Sequence, residues 1–220
     1  MTSSFTKKLV AAASAALMLA SAAPAMAAAH TEGTNVSKPD GSVCMIRTGQ
    51  LQCYTSAGAF LSYGFNSWSQ VVAANSDDLA LPMGSFIAPQ DGSVIFSDRG
   101  ADKGTGYILS GGMKYGFPTE AVFKAQGYSY STAMWADISW VSMGGTINAG
   151  DAAHLPGTLV NNGGTVQLVG NTGLMGIPDL ATFNSWGYSF AKVVPANAND
   201  KAKSQTGVMP TRVAGQLSPT

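Results

Sequence analysis

The sequence is poor in charge and almost free of histidine. Only 11% of its residues are Asp, Glu, Lys or Arg, and it has two histidines and two cysteines. Binding to a nucleic-acid backbone needs a basic face, but the 12 basic and 12 acidic residues are scattered and balance each other. The composition therefore excludes nucleic acid as a partner. With 26 glycines, it is typical of extracellular chains rich in β-structure.

Groups that could catalyse a reaction are equally scarce. His30 and His154 are the only imidazoles, and there is no Gly-x-Ser-x-Gly elbow. His154 precedes the turn Leu155-Pro156-Gly157, which favours a surface role. Asp77-Asp78 and the loop over residues 98–104 lack the spacing of a known calcium loop. We predict no enzyme, no cofactor and no metal; the remote alternative is a secreted copper enzyme with a mature N-terminal His30 and His154 as ligands.

Long apolar runs are absent except near the N-terminus. Lys7 and Lys8 precede an uncharged stretch over residues 9–22, and Ala25-Met26-Ala27 then supplies the small residues that a signal peptidase reads. Because this run is short for a membrane span, we predict a cleaved signal peptide over residues 1–27. The mature chain would carry 10 basic and 12 acidic residues and no transmembrane segment. It would be secreted, either extracellular or associated with the cell surface.

The two cysteines lie in one predicted hairpin. Strand-like runs flank Thr48-Gly49, and pairing Arg47 with Gln50 beside this turn sets Cys44 opposite Cys53. That position is a non-hydrogen-bonded pair, where the Cα atoms are close enough for a disulfide. Because an exported chain folds in an oxidising compartment, we predict that the two cysteines are bonded.

An internal repeat organises the mature chain. Asp40-Gly41-Ser42-Val43 recurs as Asp91-Gly92-Ser93-Val94, with an echo in Pro156-Gly157-Thr158-Leu159. These starts divide the chain into a flexible segment and three repeats, over residues 28–38, 39–89 (shortened, with the disulfide hairpin), 90–155, and 156–220 with a C-terminal tail.

The helix of each repeat is predicted from proline, phenylalanine and glycine at identical spacing. The second and third repeats share these positions, namely Phe117, Pro118, Phe123 and Gly127 in one and Pro178, Phe183 and Gly187 in the other. Proline suits a first helical turn and glycine a left-handed end, so each pattern predicts a helix of about nine residues after a hairpin. After the glycine, Tyr128 and Tyr130 alternate as in a strand with a buried aromatic face.

The first repeat allows two alignments. Phe65-Asn66-Ser67-Trp68 matches Phe183-Asn184-Ser185-Trp186, which gives this repeat a helix. Tyr63-Gly64-Phe65 also resembles Tyr115-Gly116-Phe117, and that pairing removes the helix. Both alignments leave the overall prediction unchanged: an α+β fold, mainly β, of about three tandem β-hairpin and short-helix repeats behind a cleaved signal peptide.

The four tryptophans divide into two groups. Trp68 and Trp186 belong to the repeat pattern, which favours a place in the core. Trp135 and Trp140 lie outside the repeat pattern and, with Tyr130, are candidate binding residues that could stack on sugar rings if they are exposed.

One set of glycine, proline and aromatic positions carries a resemblance to a known kind of repeat. It consists of Gly106-Tyr107-Ile108-Leu109, Gly112, Lys114-Tyr115-Gly116-Phe117-Pro118, Phe123, Gly127-Tyr128, Val71-Val72, Asp78 and Leu81-Pro82-Met83-Gly84. This pattern resembles tandem repeats of bacterial cell-surface and S-layer-associated proteins. Met134-Trp135-Ala136-Asp137 departs from it where a Val-Val run is expected. The resemblance implies a location at the envelope rather than an activity.

These observations predict an exported, non-enzymatic surface module, structural or adhesive. It would associate with itself or dock onto other envelope proteins through uncovered repeat edges. The alternative is a module that binds cell-wall polysaccharide or another glycan, with aromatic side chains exposed in a groove.

Overall fold

The computed structural model describes residues 28–65 and 68–219. The predicted signal peptide lies outside these residues. The described chain forms three similar units, each a small sheet with short helices, so the fold is α+β and mainly β, as predicted. No helix in the described ranges is long and apolar enough to cross a membrane.

The three units have corresponding elements. The first contains β1 (Asn35–Ser37), β2 (Val43–Arg47), β3 (Gln50–Cys53), α1 (Ala57–Ser62), a 3₁₀ turn (Trp68–Gln70), β4 (Val71–Ala73) and α2 (Ser76–Leu79). The second contains β5 (Val94–Ser97), β6 (Gly106–Ser110), β7 (Met113–Gly116), α3 (Glu120–Ala125), a 3₁₀ turn (Tyr130–Thr132), β8 (Met134–Ala136) and β9 (Met143–Thr146). The third contains β10 (Leu159–Asn162), β11 (Thr165–Val169), β12 (Leu174–Gly176), α4 (Leu180–Ser185), a 3₁₀ turn (Phe190–Lys192), β13 (Val194–Pro195), α5 (Ala198–Lys201) and β14 (Gln205–Val208).

Each sheet combines an antiparallel meander with a returning parallel strand. The strand orders are β3-β2-β1-β4, β8-β5-β6-β7-β9 and β13-β10-β11-β12-β14. The strand after the helix pairs parallel with the first strand of its own unit, as β4 does with β1, β8 with β5 and β13 with β10. The hairpins of successive units therefore belong to separate sheets rather than to one continuous sheet.

The first unit begins earlier than the motif match predicts. A backbone hydrogen bond marks the start of every unit: Gly33 N–H to the Ile46 carbonyl, Gly92 N–H to Leu109, and Gly157 N–H to Val169. The turn at Asp40-Gly41-Ser42 instead joins β1 to β2. Residues 28–38, expected to be a flexible segment, contain β1, which pairs with both β2 and β4. The motif match aligned two different turns because both need glycine with positive φ.

The helices are shorter than predicted and start after a capping residue. Thr119 and Asp179 accept a backbone hydrogen bond as N-caps of α3 and α4, so Pro118 and Pro178 precede the cap rather than begin the helix. Gly127 and Gly187 end the helices with φ of +79° and +69°, as predicted. In the first unit, α1 starts after the N-cap Ser56 and Gly64 follows with φ of +76°, so this unit also has the helix.

The predicted disulfide is present. Cys44 lies opposite Cys53, and Arg47 lies opposite Gln50 beside the turn, in the register that the sequence predicts. Both cysteines are buried. The disulfide indicates an extracytoplasmic location, since such bonds persist in oxidising compartments.

Every unit contacts the other two. A Cβ on Gly58 of α1 would lie 1.9 Å from the carbonyl oxygen of Trp135, so the first unit abuts the second. A Cβ on Gly157 would lie 2.7 Å from the amide nitrogen of Gly92, and one on Gly187 would lie 2.0 Å from the carbonyl oxygen of Tyr63. The first and third units therefore touch, and the arrangement is closed rather than an open row.

Candidate functional site: three equivalent aromatic clefts

A pair of stacked aromatic rings recurs once in every unit. The ring centroids are 5.1 Å apart in Phe60–Trp68, 4.7 Å in Phe123–Tyr130 and 4.4 Å in Phe183–Phe190, and the planes of each pair are within 17° of parallel. The inner rings are buried. The outer rings of Trp68, Tyr130 and Phe190 are 57%, 47% and 62% exposed. Each unit thus presents one flat aromatic face to solvent on a fixed support.

Equivalent elements hold the two rings of each pair. The inner phenylalanine lies on the helix, four residues after the N-cap, and the outer ring is the first residue of the 3₁₀ turn. Between them, Gly127 or Gly187 reverses the chain in a left-handed conformation. The stack is therefore a product of the helix, its glycine end and the following turn.

A cleft opens beside each stacked pair. The clefts have volumes of about 320, 210 and 280 Å³ in the first, second and third units. Equivalent hydroxyl residues before or at the start of the second strand line them, namely Ser42, Thr105 and Thr165. One carboxylate lines each, namely Asp40, Glu120 and Asp179. In the part of the chain that the structure describes, no lysine or arginine lines any of the three.

Two of these carboxylates have depressed pKa values. Hydrogen bonds from the Ser42 backbone and the Lys38 side chain lower the pKa of Asp40 to about 2. The backbone N–H of Thr182 lowers the pKa of Asp179. Both groups are therefore ionised acceptors at neutral pH, and each cleft offers an apolar ring beside polar groups that can hydrogen-bond a ligand.

Two of the predicted binding aromatics lie on this surface. Tyr130 is the outer ring of the second cleft, and Trp135 stacks on Phe96 with centroids 5.2 Å apart. Trp140 lies elsewhere, against Phe86.

The predicted strand after Gly127 is wrong. Tyr130 and Phe190 begin exposed 3₁₀ turns, and the strands start four residues later. The equivalence of Trp68 with Trp186 is also wrong, because Trp186 corresponds to Tyr63 and is fully buried. The Phe-Asn-Ser-Trp match therefore aligns Trp68 with a residue in a different structural position. One sequence signal could have found the clefts. An aromatic residue lies four positions before Val72, Met134 and Val194, which pair with the first strands of their units.

The remaining repeat residues support the stacks. Phe117 meets Phe123 edge to face, with centroids 5.2 Å apart. Pro118 lines the second cleft.

Both histidines are held by aspartates in equivalent places. The backbone N–H of His30 donates to Asp78 Oδ1, and its ring Nδ1 lies 2.7 Å from Oδ2. His154 repeats this geometry with Asp200, at 2.8 and 2.5 Å. The predicted surface position of His154 is wrong, because its side chain is buried and its Nε2 donates to the carbonyl oxygen of Gln126. Each pair joins the segment before the first strand of a unit to the short helix that follows the returning strand of the same unit.

The histidine pairs do not form a joint metal site. His30 and His154 belong to different units, and the Nδ1 atom of each lies against its own aspartate. Within the described ranges, no group of three or more His, Cys, Asp or Glu side chains is placed to hold a metal ion. The contacts of the two histidines thus give the copper alternative no support.

The polar loop over residues 98–104 is organised by an ammonium group. Lys114 Nζ donates to Asp102 Oδ2 at 2.7 Å and to the carbonyl oxygen of Ile138 at 3.0 Å. The Lys114 hydrogen bond is the largest influence on Asp102 and lowers the pKa of its carboxyl group. The Asp102 carboxylate of the loop is thus paired with the buried Lys114 of β7.

Comparisons with known proteins give no family. No family model matches the chain, and no curated protein matches it. Solved structures that match weakly include the periplasmic assembly from the ESX-5 inner membrane complex, with 12% identity and a TM-score of 0.21, and the intact ESX-5 inner membrane complex, with 12% identity and a TM-score of 0.20. Each match covers 86% of this chain, which spans only 63% and 55% of the matched chains.

Proposed function

We propose that the protein is a secreted, non-enzymatic module of the cell envelope that binds polysaccharide through its three aromatic clefts. The observation that carries this proposal is the stacked ring pair with an exposed outer face, present at the same place in all three units. Exposed aromatic faces that recur in this way are not needed for the core, because the inner ring of each pair already fills that role.

The chemistry of the clefts suits a sugar. A pyranose ring has an apolar face that packs on an aromatic ring and hydroxyl groups that hydrogen-bond at its edge. Each cleft offers both, since a hydroxyl residue and a carboxylate stand beside the outer ring. Two of the three carboxylates are paired with lysines, Asp40 with Lys38 and Glu120 with Lys124, so the clefts have little net charge. A neutral glycan is therefore favoured over an anionic polymer.

Three equivalent sites favour a polymeric ligand. A shallow cleft of this size binds a single sugar weakly, but linked sites raise the effective concentration for one another and give high avidity on a repeating chain. A wall polysaccharide presents the same unit many times and therefore suits this arrangement.

Retention on isolated cell wall tests the proposal. The mature protein should sediment with purified wall, whereas the triple variant Trp68→Ala, Tyr130→Ala, Phe190→Ala should remain in the supernatant. Phe86→Ala is the matched control, because Phe86 is an exposed aromatic residue outside the three clefts. Equal retention of the triple variant and the control, with folding verified by circular dichroism, would contradict polysaccharide binding through the clefts.

A second candidate is docking onto another copy or an envelope protein through a sheet edge. The closed arrangement removes the uncovered repeat ends on which the prediction of self-association depends. One observation still favours edge pairing: β14 is the edge strand of its sheet, and all four of its residues are exposed. Self-association would then be weakly dependent on salt, because the net charge is small.

The edge-pairing candidate has its own test. Sedimentation equilibrium of the mature protein should show an oligomer at high concentration, and Gln205→Lys with Val208→Lys should abolish it. A wild-type protein that stays monomeric would exclude this candidate and leave the glycan proposal unaffected.

A further inference from the structure

We propose that the second unit carries an extended platform that binds at least two consecutive residues of a β-1,4-linked glycan, whereas the other two clefts bind one. This inference rests on the proposed glycan-binding function. It assigns the length preference of the protein to one unit.

The cleft of the second unit continues into a row of aromatic rings. The Tyr130 ring lies 5.9 Å from the Phe96 ring, and Phe96 stacks on Trp135 at 5.2 Å. The interplanar angles are 31° and 30°. Tyr130 and Trp135 are both about half exposed. Phe96 thus contacts both half-exposed rings, so the aromatic surface of the cleft continues from Tyr130 to Trp135.

This row is absent from the other two units as the structure describes them. Phe96 pairs with Trp135 across β5 and β8, and the corresponding pairs are Ser37 with Ala73 and Asn161 with Pro195. Small or polar residues thus stand where the second unit has two large rings. Because the backbones are equivalent, the row is a property of these side chains rather than of the fold.

A polar group lies at the far end of the row. Asp98 and Asp137 directly follow β5 and β8, two residues after Phe96 and Trp135. Arg99 Nε lies 3.7 Å from an Asp98 oxygen and 3.9 Å from an Asp137 oxygen. The Arg99 side chain is 65% exposed. Donors and acceptors for hydroxyl groups therefore border the aromatic row.

These features select the occupant. A β-1,4-linked chain is a flat ribbon whose successive residues each present an apolar face to the rings and hydroxyl groups to the edge. The mixture of one arginine and two aspartates is matched by a neutral, hydroxyl-rich ligand rather than by a polyanion. An apolar peptide would offer no hydrogen-bonding groups to these charged side chains.

Titration with chito-oligosaccharides of one, two and four residues tests the inference. The mature protein should bind the tetrasaccharide about tenfold more tightly than the monosaccharide, and Trp135→Ala should remove this gain. Phe190→Ala, which alters the third cleft, is the matched control and should keep the gain. Calorimetry or Trp fluorescence measures the affinities.

Several outcomes would overturn the inference. They are equal affinity for all lengths, equal effects of Trp135→Ala and Phe190→Ala, and preference for a proline-rich peptide over the oligosaccharides. If wall retention still depends on the three clefts in that case, the proposed function remains valid without the platform. If every cleft variant is retained on the wall as well as wild type, the proposed function itself is wrong.

Discussion

At the scale of single residues, glycine allows the first and third units to meet. Gly187 has φ of +69°, and a Cβ there would lie 2.0 Å from the carbonyl oxygen of Tyr63. Gly64, on the other side of the contact, has φ of +76° and would place a Cβ 2.3 Å from the Cα of Gly187. The two glycines therefore serve both a helix end and an interface between units.

Gly187→Ala should therefore destabilise the protein by more than the backbone strain of a positive φ alone. We expect a loss of about 2–4 kcal/mol, because the new methyl group both opposes the left-handed conformation and meets backbone of the first unit. Gly163→Ala is the matched control, since Gly163 also has positive φ (+62°) but nothing within 4 Å of a Cβ. It should lose only about 1 kcal/mol. Urea unfolding measures both, and equal losses would mean that the contact adds nothing.

Asp200 should make stability depend on acid pH. Burial opposes ionisation, but hydrogen bonds from the His154 side chain, the His154 backbone and the Asn197 backbone outweigh it and lower the pKa of this carboxyl group. A depressed pKa gives stability that is present above the unfolded value, about 3.9, and is lost as pH falls through the folded value. Wild type should therefore lose stability below about pH 4 more steeply than Asp200→Asn.

The same variant also has an effect at neutral pH. Asp200→Asn should lose about 3 kcal/mol there, because it breaks a buried pair. Melting temperatures between pH 2 and 7 measure both effects. Parallel curves for the two proteins would show that Asp200 is not linked to folding.

Residue-scale predictions succeeded where the determinants are local. The register of Cys44 and Cys53 follows from one two-residue turn, and the left-handed glycines follow from the ends of short helices. The exposure of Trp68 was not predicted, because its structural equivalents are the exposed Tyr130 and Phe190. A four-residue match to Trp186 concealed that equivalence.

At the scale of elements, hydrogen bonding rather than sequence similarity defines the units. Thr34, Ser93 and Thr158 accept equivalent backbone hydrogen bonds from the second strand, although the motif match placed the first start at Asp40. Turns with glycine recur at many places in this chain, so a glycine motif alone identifies a turn and not its position in the unit. The hairpin of each unit and the helices of the second and third units were predictable; the parallel returning strands, the element boundaries and the alignment of the first unit were not.

The disulfide should stabilise the β2–β3 hairpin and its sheet. Cys44 and Cys53 are separated by nine residues, so the closed loop is short and its entropic contribution is about 2–3 kcal/mol. Replacing both cysteines by alanine should lower the free energy of unfolding by this amount. Denaturant titration of the double variant checks the value, and detection of two free thiols in the native protein by mass spectrometry would contradict the bond itself.

At the scale of the whole molecule, the C-terminal tail seals the contact between the first and third units. Arg212 lies over the rings of Tyr63, Phe65 and Trp186, with distances of 5.2–5.9 Å to their centroids. Gly215 accepts a hydrogen bond from Arg47 Nε in the first unit. A single charged side chain thus contacts aromatic residues of both units.

Arg212→Ala should weaken this closure. The desolvated cation–π contacts predict a loss of about 1–2 kcal/mol, which for a domain of this size lowers Tm by about 2–8 °C. Wild type should unfold in one calorimetric transition, since every unit contacts the other two. The exposed loop residue Lys103 supplies the control, and Lys103→Ala should leave Tm unchanged. Two separated transitions in wild type would argue against a cooperative closed arrangement.

The approach of the tail to the first strand also affects the connectivity of the chain. A Cβ on Gly33 would lie 2.5 Å from the backbone nitrogen of Gly215, so the two ends of the folded region are neighbours. A short linker can join them, and new termini can open at the Gly163-Gly164 turn, where both glycines face open space. Circular permutation should then preserve the fold, because the order of the units along the chain is not what holds them together.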